Sequence, residues 1–359
     1  MPNRRTVFAF TPTCTQFCAG MSALTRNRSS KSVPNEIMKQ YHDQRAAGGA
    51  GLIVTEGTLI TRQGKITDSV HTTGSKIYSQ IWHLGRASHP EAPEQIEAGV
   101  PVYAPSAISA RGGKFRHIDG TPGYVTPTEI ADPTVLIAQF KQAAINAKEA
   151  GFDGVEFHGA NGYLVHQFLD STSNKRTDKW GGSVENRARF ALETLKALTE
   201  VYGSDVVIKL SPAGGYNDMG MPLQETLDTF GYLLREINKL GLSYVTLVRY
   251  NPWLDPEYDG LSAKKRGIPH DAAESYSPFL ADTPLFVNGS VAPAEAEELV
   301  STGKAAGIFI GVNWITHPDL GKRIWVGKEL DNAPDYTTLY GAPGVDPALG
   351  YTDYKEAVY

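Results

Sequence analysis

The residues with the clearest chemical potential lie in the segment 158–190, HGANGYLVHQFLDSTSNKRTDKWGGSVENRARF. His158, Asn161 and Tyr163 open this segment, directly after a short apolar run. A histidine and an asparagine can donate hydrogen bonds to the same carbonyl oxygen, and a nearby tyrosine can deliver a proton. Each of these residues taken alone is more often a satisfied polar group of a loop. The pattern therefore indicates either chemistry on a carbonyl compound or a hydrogen-bonded turn.

The other polar residues of the segment are expected to be structural. His166 is predicted to pack against the following helix or to cap it. Four charged residues are predicted to form an ion-pair network that holds the long loop: Arg176, Asp178, Arg187 and Arg189. The chemistry is therefore expected at the start of the segment.

The chain around this segment alternates short apolar runs with longer amphipathic stretches. The runs predicted to be strands cover residues 17–24, 51–58, 76–84, 154–159, 205–212, 243–250, 284–290 and 306–312. Several of them are apolar throughout, as expected for parallel strands that are covered on both faces. The stretches between them are predicted to be helices, which begin near Asn35, Pro133, Ser183, Pro222 and Pro293 and end at glycines.

Eight such alternations predict an α/β fold, a (β/α)8 TIM barrel. The alternative is an open doubly wound sheet, which usually carries a Gly-x-Gly-x-x-Gly turn after its first strand, and this turn is absent. Residues 1–359 are therefore predicted to form one barrel domain. The stretch 88–126 is rich in Gly, Pro and Ser and lacks periodicity, which favours an active-site insertion after the third strand.

The active site of such a barrel lies at the carboxyl ends of its strands. The residues predicted at those ends are Thr25, Gly57, Gln80 with Trp82, His158, Lys209, Gly289 and Gly311. They include no carboxylate cluster and no His-x-His pair, so no metal site is predicted. Glycines that end the last two strands would allow close approach of a phosphate.

Composition excludes several other classes of function. The formal net charge is −5 and no long run of like charges occurs, so nucleic-acid and membrane partners are not expected. The chain has only two cysteines, Cys14 and Cys18, which excludes a disulfide framework and favours a reducing compartment. Pro12 and polar residues interrupt the first apolar stretch, so no signal peptide is predicted. These features indicate a cytoplasmic protein that acts on small molecules.

The segment 158–190 resembles, over its whole length, the pattern of the Old Yellow Enzyme family of FMN-dependent ene reductases. The family pattern runs His-x-x-Asn-Gly-Tyr-Leu, Gln-Phe-Leu, Asn-x-Arg-x-Asp-x-(Tyr/Trp)-Gly-Gly-Ser and Asn-Arg-x-Arg-Phe, and every one of these positions is filled here. Further matching stretches are LTRNR, TEGT, QIWHLGR, KLSP, NGS and HPDL. The resemblance extends over roughly residues 21–359.

The resemblance implies an FMN site. The positions that match FMN contacts of the family are Ala23, Leu24, Thr25, Gly57, Gln80, Lys209, Gly289, Ser290 and Gly311. Thr25 would bond near the flavin C4 oxygen and N5, and Gln80 would bind the pyrimidine edge. Lys209 stands where the family usually has arginine and would place positive charge near N1 and the C2 carbonyl. The last three positions would meet the ribityl phosphate.

The resemblance also implies a reaction, the reduction of the C=C bond of an enone or enal with hydride from NADPH by a ping-pong mechanism. His158 and Asn161 would bind the substrate carbonyl oxygen, Tyr163 would protonate the α-carbon, and Trp82 and Tyr340 would shape the pocket. A flavin-dependent isomerase or dehydrogenase of a biosynthetic pathway is the alternative, against which the Tyr163 hydroxyl argues. Self-association into a homo-oligomer is compatible with the resemblance.

Three departures from the family pattern bear on FMN binding. Val312 replaces the arginine that usually pairs with the phosphate, which removes a charge-assisted bond of about 1.5–3 kcal/mol. The connection 59–74 leaves room for barely two helical turns, so apolar surface is expected to be exposed there. The N-terminal segment lacks the usual strand hairpin. A truncated, non-catalytic chain that binds FMN weakly is therefore a further alternative.

Overall fold

The computed structural model describes residues 19–22, 35–56, 64–112, 123–339 and 344–359. Its strands are β1 (Ala19–Ser22), β2 (Leu52–Val54), β3 (Lys76–Ile81), β4 (Tyr103–Ala104), β5 (Thr128–Glu129), β6 (Gly154–Gly159), β7 (Val206–Leu210), β8 (Tyr244–Val248), β9 (Leu285–Asn288) and β10 (Gly307–Ile310). Eight of them form a closed barrel in the order β1-β10-β9-β8-β7-β6-β3-β2, and β4 pairs with β5. The predicted (β/α)8 barrel and its eight strands are confirmed.

The described residues form eleven α-helices, five of which the sequence predicts with nearly the same bounds. They are α1 (Glu36–Ala47), α2 (Gly64–His71), α3 (Pro93–Ala98), α4 (Pro133–Glu149), α5 (Leu164–Leu169), α6 (Val184–Tyr202), α7 (Leu223–Asn238), α8 (Ala272–Tyr276), α9 (Pro293–Ser301), α10 (Val312–Thr316) and α11 (Leu320–Val326). Asn35 and Ser183 cap α1 and α6, because their side chains accept the N–H groups of Met38 and Asn186. Within the described ranges, no helix is long and apolar enough to cross a membrane.

Contacts within the chain divide it into two compact units, of which the first comprises residues 1–80, 146–155 and 286–359. In this unit β1 lies between β2 and β10, with Met21 in register with Ile53 on one side and Ile310 on the other. The side chains of β2 and β10 are buried, as expected for parallel strands with both faces covered. The prediction of a single domain stays a prediction.

The short connection between β2 and β3 belongs to the first unit. Its helix α2 has eight residues, about the two turns that the sequence allows. The expected exposure of apolar surface is wrong for the described part of this connection, because Ile66 and Val70 are 5% and 0% exposed. Hydrogen bonds also fix α2, since the Thr67 hydroxyl donates to the Ala150 carbonyl and His71 Nε2 lies 2.8 Å from Asp153 Oδ2. A short helix can therefore cover this side when its two apolar residues point inward.

The second unit comprises residues 81–145 and 156–285. The ring of Phe157 on β6 packs edge-on against Phe140 of α4, with centroids 4.9 Å apart. Alternate residues of a strand point to opposite faces, so Glu156 and His158 point away from the helix layer. The buried strand β6 thereby places a carboxylate and an imidazole on its inner face.

The insertion 88–126 is more ordered than its sequence indicates, in the part that the structure describes. It contains the helix α3, and β4 pairs with β5 in parallel, with Tyr103 opposite Thr128. The lack of periodicity in the sequence of this stretch therefore does not mean that it lacks regular structure. Two-residue strands are too short to produce a periodic pattern that a sequence could reveal.

Candidate active site

His158 lies near the end of β6 and is 5% exposed. Burial, together with the nearby positive charge of Lys209, lowers the pKa of His158 to about 3, so the ring is neutral at physiological pH. Its Nδ1 accepts the Ala160 N–H group at 3.3 Å. The hydrogen of the neutral ring must then reside on Nε2, which makes that atom a hydrogen-bond donor. In this state Nε2–H can donate to a carbonyl oxygen.

Asn161 follows in the loop after β6, with φ of 57°, in the left-handed region that non-glycine residues rarely adopt. Its N–H group donates to Ser211 Oγ at 2.7 Å, and its carbonyl oxygen accepts a hydrogen bond from Asn217 Nδ2 at 2.8 Å. Both backbone groups of this unfavourable conformation are therefore held by side chains of the loop after β7. The conformation is fixed by its surroundings.

Tyr163 is the N-cap of the short helix α5, and its N–H group donates to the Ala160 carbonyl. Its ring packs edge-on against Trp82, with centroids 4.7 Å apart, and against His158, with centroids 5.1 Å apart. The second unit thus brings together three of the predicted site residues, His158, Tyr163 and Trp82. Because the rings meet edge to face, the orientation of the tyrosine is defined by packing.

Lys209 lies on β7 and is 6% exposed. Burial lowers the pKa of Lys209, and the negative charge of Glu156 opposes this shift. Glu156 in turn accepts a hydrogen bond from the Thr246 hydroxyl of β8. The inner faces of β6, β7 and β8 therefore carry a buried amino group whose protonated form is favoured by a buried carboxylate, a partner that sequence reasoning missed.

The first unit holds several of the predicted FMN positions. Gln80, at the end of β3, is 4% exposed and its N–H group donates to the Thr55 hydroxyl. After β9, Gly289 and Ser290 have φ of 112° and 51°, two successive residues in the positive range. Gly311 is the N-cap of α10, and Val312, the first residue of this helix, is 37% exposed. Ala23, Leu24, Thr25, Gly57 and Tyr340, like both cysteines, lie outside the described residues.

The charged residues of the 158–190 segment are structural, as predicted, but they do not form one network. Arg176 binds Asp178 with its Nη2 atom at 2.6 Å and also pairs with Glu129. Arg187 instead pairs with Glu225 of α7. Arg189 donates to the Lys179 carbonyl and the Asn186 side chain. The prediction of a shared network is therefore wrong for the last two arginines.

His166 packs against a helix, as predicted, but that helix is α7 and not the one that follows it in the chain. It is 3% exposed, its ring meets Phe230 edge-on with centroids 5.8 Å apart, and its Nδ1 accepts the Gly162 N–H group. A cavity lies beside Asn161, and its other lining residues include His166, Ser211 and Tyr216. The loop after β7 therefore contributes residues to this cavity that sequence reasoning did not single out.

The buried histidines predict that stability falls in mild acid. Burial lowers the pKa of His158 and of His166, while an unfolded histidine titrates near 6.5. Below pH 6.5 the unfolded chain therefore binds protons that the native chain does not bind, and the free energy of unfolding decreases as pH falls. We expect a loss of about 2 kcal/mol per such histidine between pH 7 and pH 5.

Urea unfolding at both pH values measures this loss. The variant His166→Gln removes one of the histidines whose pKa is lowered by burial and should show a smaller decrease between pH 7 and pH 5 than the parent chain. An equal decrease in the two proteins would contradict a neutral His166 in the native state.

Comparisons with known proteins give matches over most of the chain. Residues 60–331 match the model of the NADH:flavin oxidoreductase / NADH oxidase family. A probable flavin mononucleotide-dependent alkene reductase of Leishmania infantum is 33% identical over 93% of this chain and 92% of its own length. Among solved structures, morphinone reductase in complex with tetrahydroNAD has a TM-score of 0.77 at 31% identity, covering 95% of this chain and 94% of its own. The old yellow enzyme homologue of Zymomonas mobilis has a TM-score of 0.76 at 28% identity, covering 94% and 95%.

Proposed function

This chain belongs to the NADH:flavin oxidoreductase / NADH oxidase family, with the Old Yellow Enzymes among its relatives, and we propose that His158, Asn161 and Tyr163 form its reactive site. It is an FMN-dependent oxidoreductase that reduces the C=C bond of α,β-unsaturated carbonyl compounds at the expense of a reduced nicotinamide cofactor. One observation carries the site assignment: a buried, neutral His158 has its free hydrogen on Nε2 and lies in ring contact with Tyr163.

The described residues fit FMN. Lys209 is a buried amino group on the inner barrel face, and its protonated form, which Glu156 favours, would suit the electron-rich pyrimidine end of the isoalloxazine. The successive positive φ angles of Gly289 and Ser290 turn their backbone sharply after β9, and a glycine there lets an anion approach the main chain closely. In the second unit, Lys209 is proposed as a contact of the ring system. In the first unit, Gln80 is proposed as a further ring contact, and Gly289, Ser290 and Gly311 as phosphate contacts, from the family pattern. Thr25, Gly57, Ala23 and Leu24 remain proposed FMN contacts from the family pattern.

When bound, FMN supplies hydride transfer from the nicotinamide to the β-carbon of the substrate. The residues of the chain control the other end of the conjugated system. His158 Nε2–H and the Asn161 side-chain amide would donate to the carbonyl oxygen, so that negative charge developing there meets donors already in place. The Tyr163 hydroxyl would hold the proton for the α-carbon. Trp82 packs against Tyr163 and would form one wall of the pocket, with Tyr340 as a further proposed contact.

We further propose that NADPH and the enone occupy this site in turn, in a ping-pong mechanism, since both must reach the same hydride-carrying face. Double-reciprocal plots at several fixed enone concentrations should then give parallel lines. Intersecting lines would contradict alternate use of one site. A cytoplasmic location is proposed with it, because two cysteines in 359 residues suit a reducing compartment.

A single anaerobic experiment tests the proposed function. The purified protein is mixed with FMN, excess FMN is removed, NADPH is titrated while the visible flavin band is recorded, and cyclohexenone is then added. Bleaching by NADPH and recovery with the enone support the proposal. Bleaching without recovery, with a rearranged double bond in the product, supports the isomerase alternative. Loss of FMN during removal of the excess supports a chain that binds the cofactor too weakly to act.

Val312 gives a prediction about FMN affinity. The substitution Val312→Arg should lower the dissociation constant of FMN about ten- to a hundred-fold, because it restores a charge-assisted bond to the phosphate. Quenching of FMN fluorescence on titration with protein measures the constant. Val345→Arg is the matched control, since it adds the same charge to another partly exposed valine of the first unit. Equal affinities in both variants would show that position 312 does not meet the phosphate.

A further inference from the structure

The loop after β7 holds the main chain of Asn161 from both sides. Ser211 Oγ accepts the Asn161 N–H group at 2.7 Å, and Asn217 Nδ2 donates to the Asn161 carbonyl oxygen at 2.8 Å. A left-handed conformation in a non-glycine residue persists when the surroundings over-determine it. These two bonds are such a constraint, because they fix the peptide groups on either side of the residue.

Close packing strengthens the contact between the two loops. A Cβ atom placed on Gly162 would lie 2.6 Å from the Tyr216 carbonyl oxygen and 2.7 Å from Asn217 Cβ. The two loops therefore approach each other as closely as a glycine permits. Asn217 is 7% exposed, so its hydrogen bond to Asn161 is protected from competition by water.

Asn217 is itself held by the insertion that follows β3. The Tyr124 hydroxyl donates to Asn217 Oδ1 at 3.0 Å, which orients the amide so that its NH2 group faces Asn161. Asn217 and Asp218 both have positive φ, 56° and 61°. Arg111 fixes Asp218 through two bonds to Oδ1 and one from its main-chain N–H to Oδ2. A chain of defined contacts thus leads from Tyr124 through Asn217 to Asn161.

We propose that Asn217 is a positioning residue: it holds Asn161 in the conformation that binds the substrate carbonyl, and Tyr124 of the insertion orients it for this task. The inference rests on the proposed function, because it assigns meaning to the position of Asn161. Asn217 need not touch the substrate. Its effect is exerted through the main chain of the residue that does.

The substitution Asn217→Asp tests the hydrogen bond with almost no change of shape. One carboxylate oxygen still accepts from Tyr124, but the other now faces the Asn161 carbonyl oxygen and cannot donate to it. Near pH 8 we expect the half-saturating cyclohexenone concentration of the FMN-loaded, dithionite-reduced protein to rise about ten-fold. Arg111 and Arg86 pair with the adjacent Asp218 and are unchanged in the variant.

The pH dependence of that effect separates positioning from loss of structure. A buried carboxyl group that faces a carbonyl oxygen has its pKa raised, and its protonated form can donate the missing hydrogen bond. The defect of Asn217→Asp should therefore shrink when pH is lowered from 8 to 5.5, whereas the parent protein has no such recovery. A defect of equal size at both pH values would overturn the assigned hydrogen bond.

Asn174→Ala is the matched structural control. Asn174 is a buried asparagine of the same unit whose Nδ2 donates to the carbonyl oxygens of Phe168 and Trp180, and it has no hydrogen bond to the loop 159–163. This variant should melt at a lower temperature with half-saturation unchanged. If Asn217→Asp behaves in the same way, Asn217 is only structural and the inference fails. If the parent protein does not oxidise with cyclohexenone, the proposed function fails first, and the two failures are distinct.

Tyr124→Phe tests the other end of the chain of contacts. Without the hydroxyl, Asn217 Oδ1 loses its donor and the amide is less firmly oriented. The half-saturating cyclohexenone concentration should therefore rise, but by less than in Asn217→Asp. In the double variant the two effects should be less than multiplicative, because both act on one hydrogen bond. Fully multiplicative effects would show that Tyr124 acts independently of Asn217.

Discussion

Replacing Tyr163 by phenylalanine should slow the reaction with cyclohexenone about 10²- to 10⁴-fold, because the substitution removes the proposed proton donor and little else. The ring of Tyr163 is held edge-on by Trp82 and His158, and phenylalanine preserves both contacts. Binding of the carbonyl oxygen by His158 and Asn161 is also preserved. The loss should therefore appear in the rate constant at saturation and leave the half-saturating concentration nearly unchanged.

The measurement follows the return of the visible flavin band after enone is mixed with the FMN-loaded, dithionite-reduced protein. Tyr276→Phe is a suitable control, since Tyr276 is a fully buried tyrosine of the same unit whose hydroxyl meets His270. Bleaching by NADPH should be unaffected in both variants. An unchanged rate with cyclohexenone in Tyr163→Phe would mean that the proton comes from elsewhere, and Tyr163 would be left with a packing role.

Much of the positioning of this site is encoded locally and could be predicted. The run GVEFHG forms β6 with the predicted bounds, because it is short, apolar on one face and flanked by glycine. The Asn-Gly pair after it predicts a turn with positive φ, and Asn161 and Gly162 both have it. The sequence could predict that three side chains lie close together, those of His158, Asn161 and Tyr163, because the end of one strand and a single turn determine the distances between them.

The contacts that hold these residues could not be predicted, because they join distant parts of the chain. Asn217 reaches Asn161 across 56 residues, and Tyr124 reaches Asn217 across 93. The spacing of residues in the sequence does not reveal that two loops are in contact when this contact depends on the pairing of the strands that precede them. The interaction of Glu156 with Lys209 could not be predicted for the same reason, because a carboxylate within an apolar strand does not indicate which residue it will face.

The short connection between β2 and β3 is a second case in which the sequence predicted an element but not its contacts. Chain length correctly predicted a two-turn helix between β2 and β3, but length says nothing about which way the side chains of that helix point. Ile66 and Val70 are four residues apart, so they share one face of α2, and both are buried. A helix with so few residues can cover the strands because its whole apolar content lies on that face.

The second large loss of activity is expected when His158, one of the two proposed donors to the substrate carbonyl, is removed. His158→Ala should lower kcat/KM for cyclohexenone about 10²- to 10³-fold, the usual cost of deleting one donor to a developing oxyanion. The reason is the state of the imidazole: burial holds the pKa of His158 at about 3, so Nε2 carries its hydrogen throughout the neutral pH range. The donor is therefore in place before the substrate arrives and costs no reorganisation.

The pH profile provides an independent check on that state. A histidine whose pKa is about 3 does not titrate near pH 6.5. The pH profile of kcat/KM for the enone should therefore contain no step near pH 6.5 that is caused by His158, and the profiles of the parent protein and of His158→Ala should have the same shape in this range. A step near pH 6.5 that is lost in the variant would mean that His158 is solvated and titrates normally. The carbonyl would then be bound by an imidazolium at low pH, and the neutral-donor mechanism would be wrong.

Combining His158→Ala with Asn161→Ala decides whether the two donors act on one oxygen. If both bind the same carbonyl oxygen, Asn161→Ala should lower the rate less in the His158→Ala background than in the parent protein, since residues that act as a unit are not additive. Independent costs that multiply would place the two side chains on different atoms of the substrate. Single-turnover oxidation of the dithionite-reduced, FMN-loaded protein isolates this step from binding of NADPH, so a changed nicotinamide reaction cannot imitate the result. The double variant thereby tests the geometry itself: an imidazole and an amide, fixed by β6 and by the loop after β7, can stabilise one developing charge only if they converge on it.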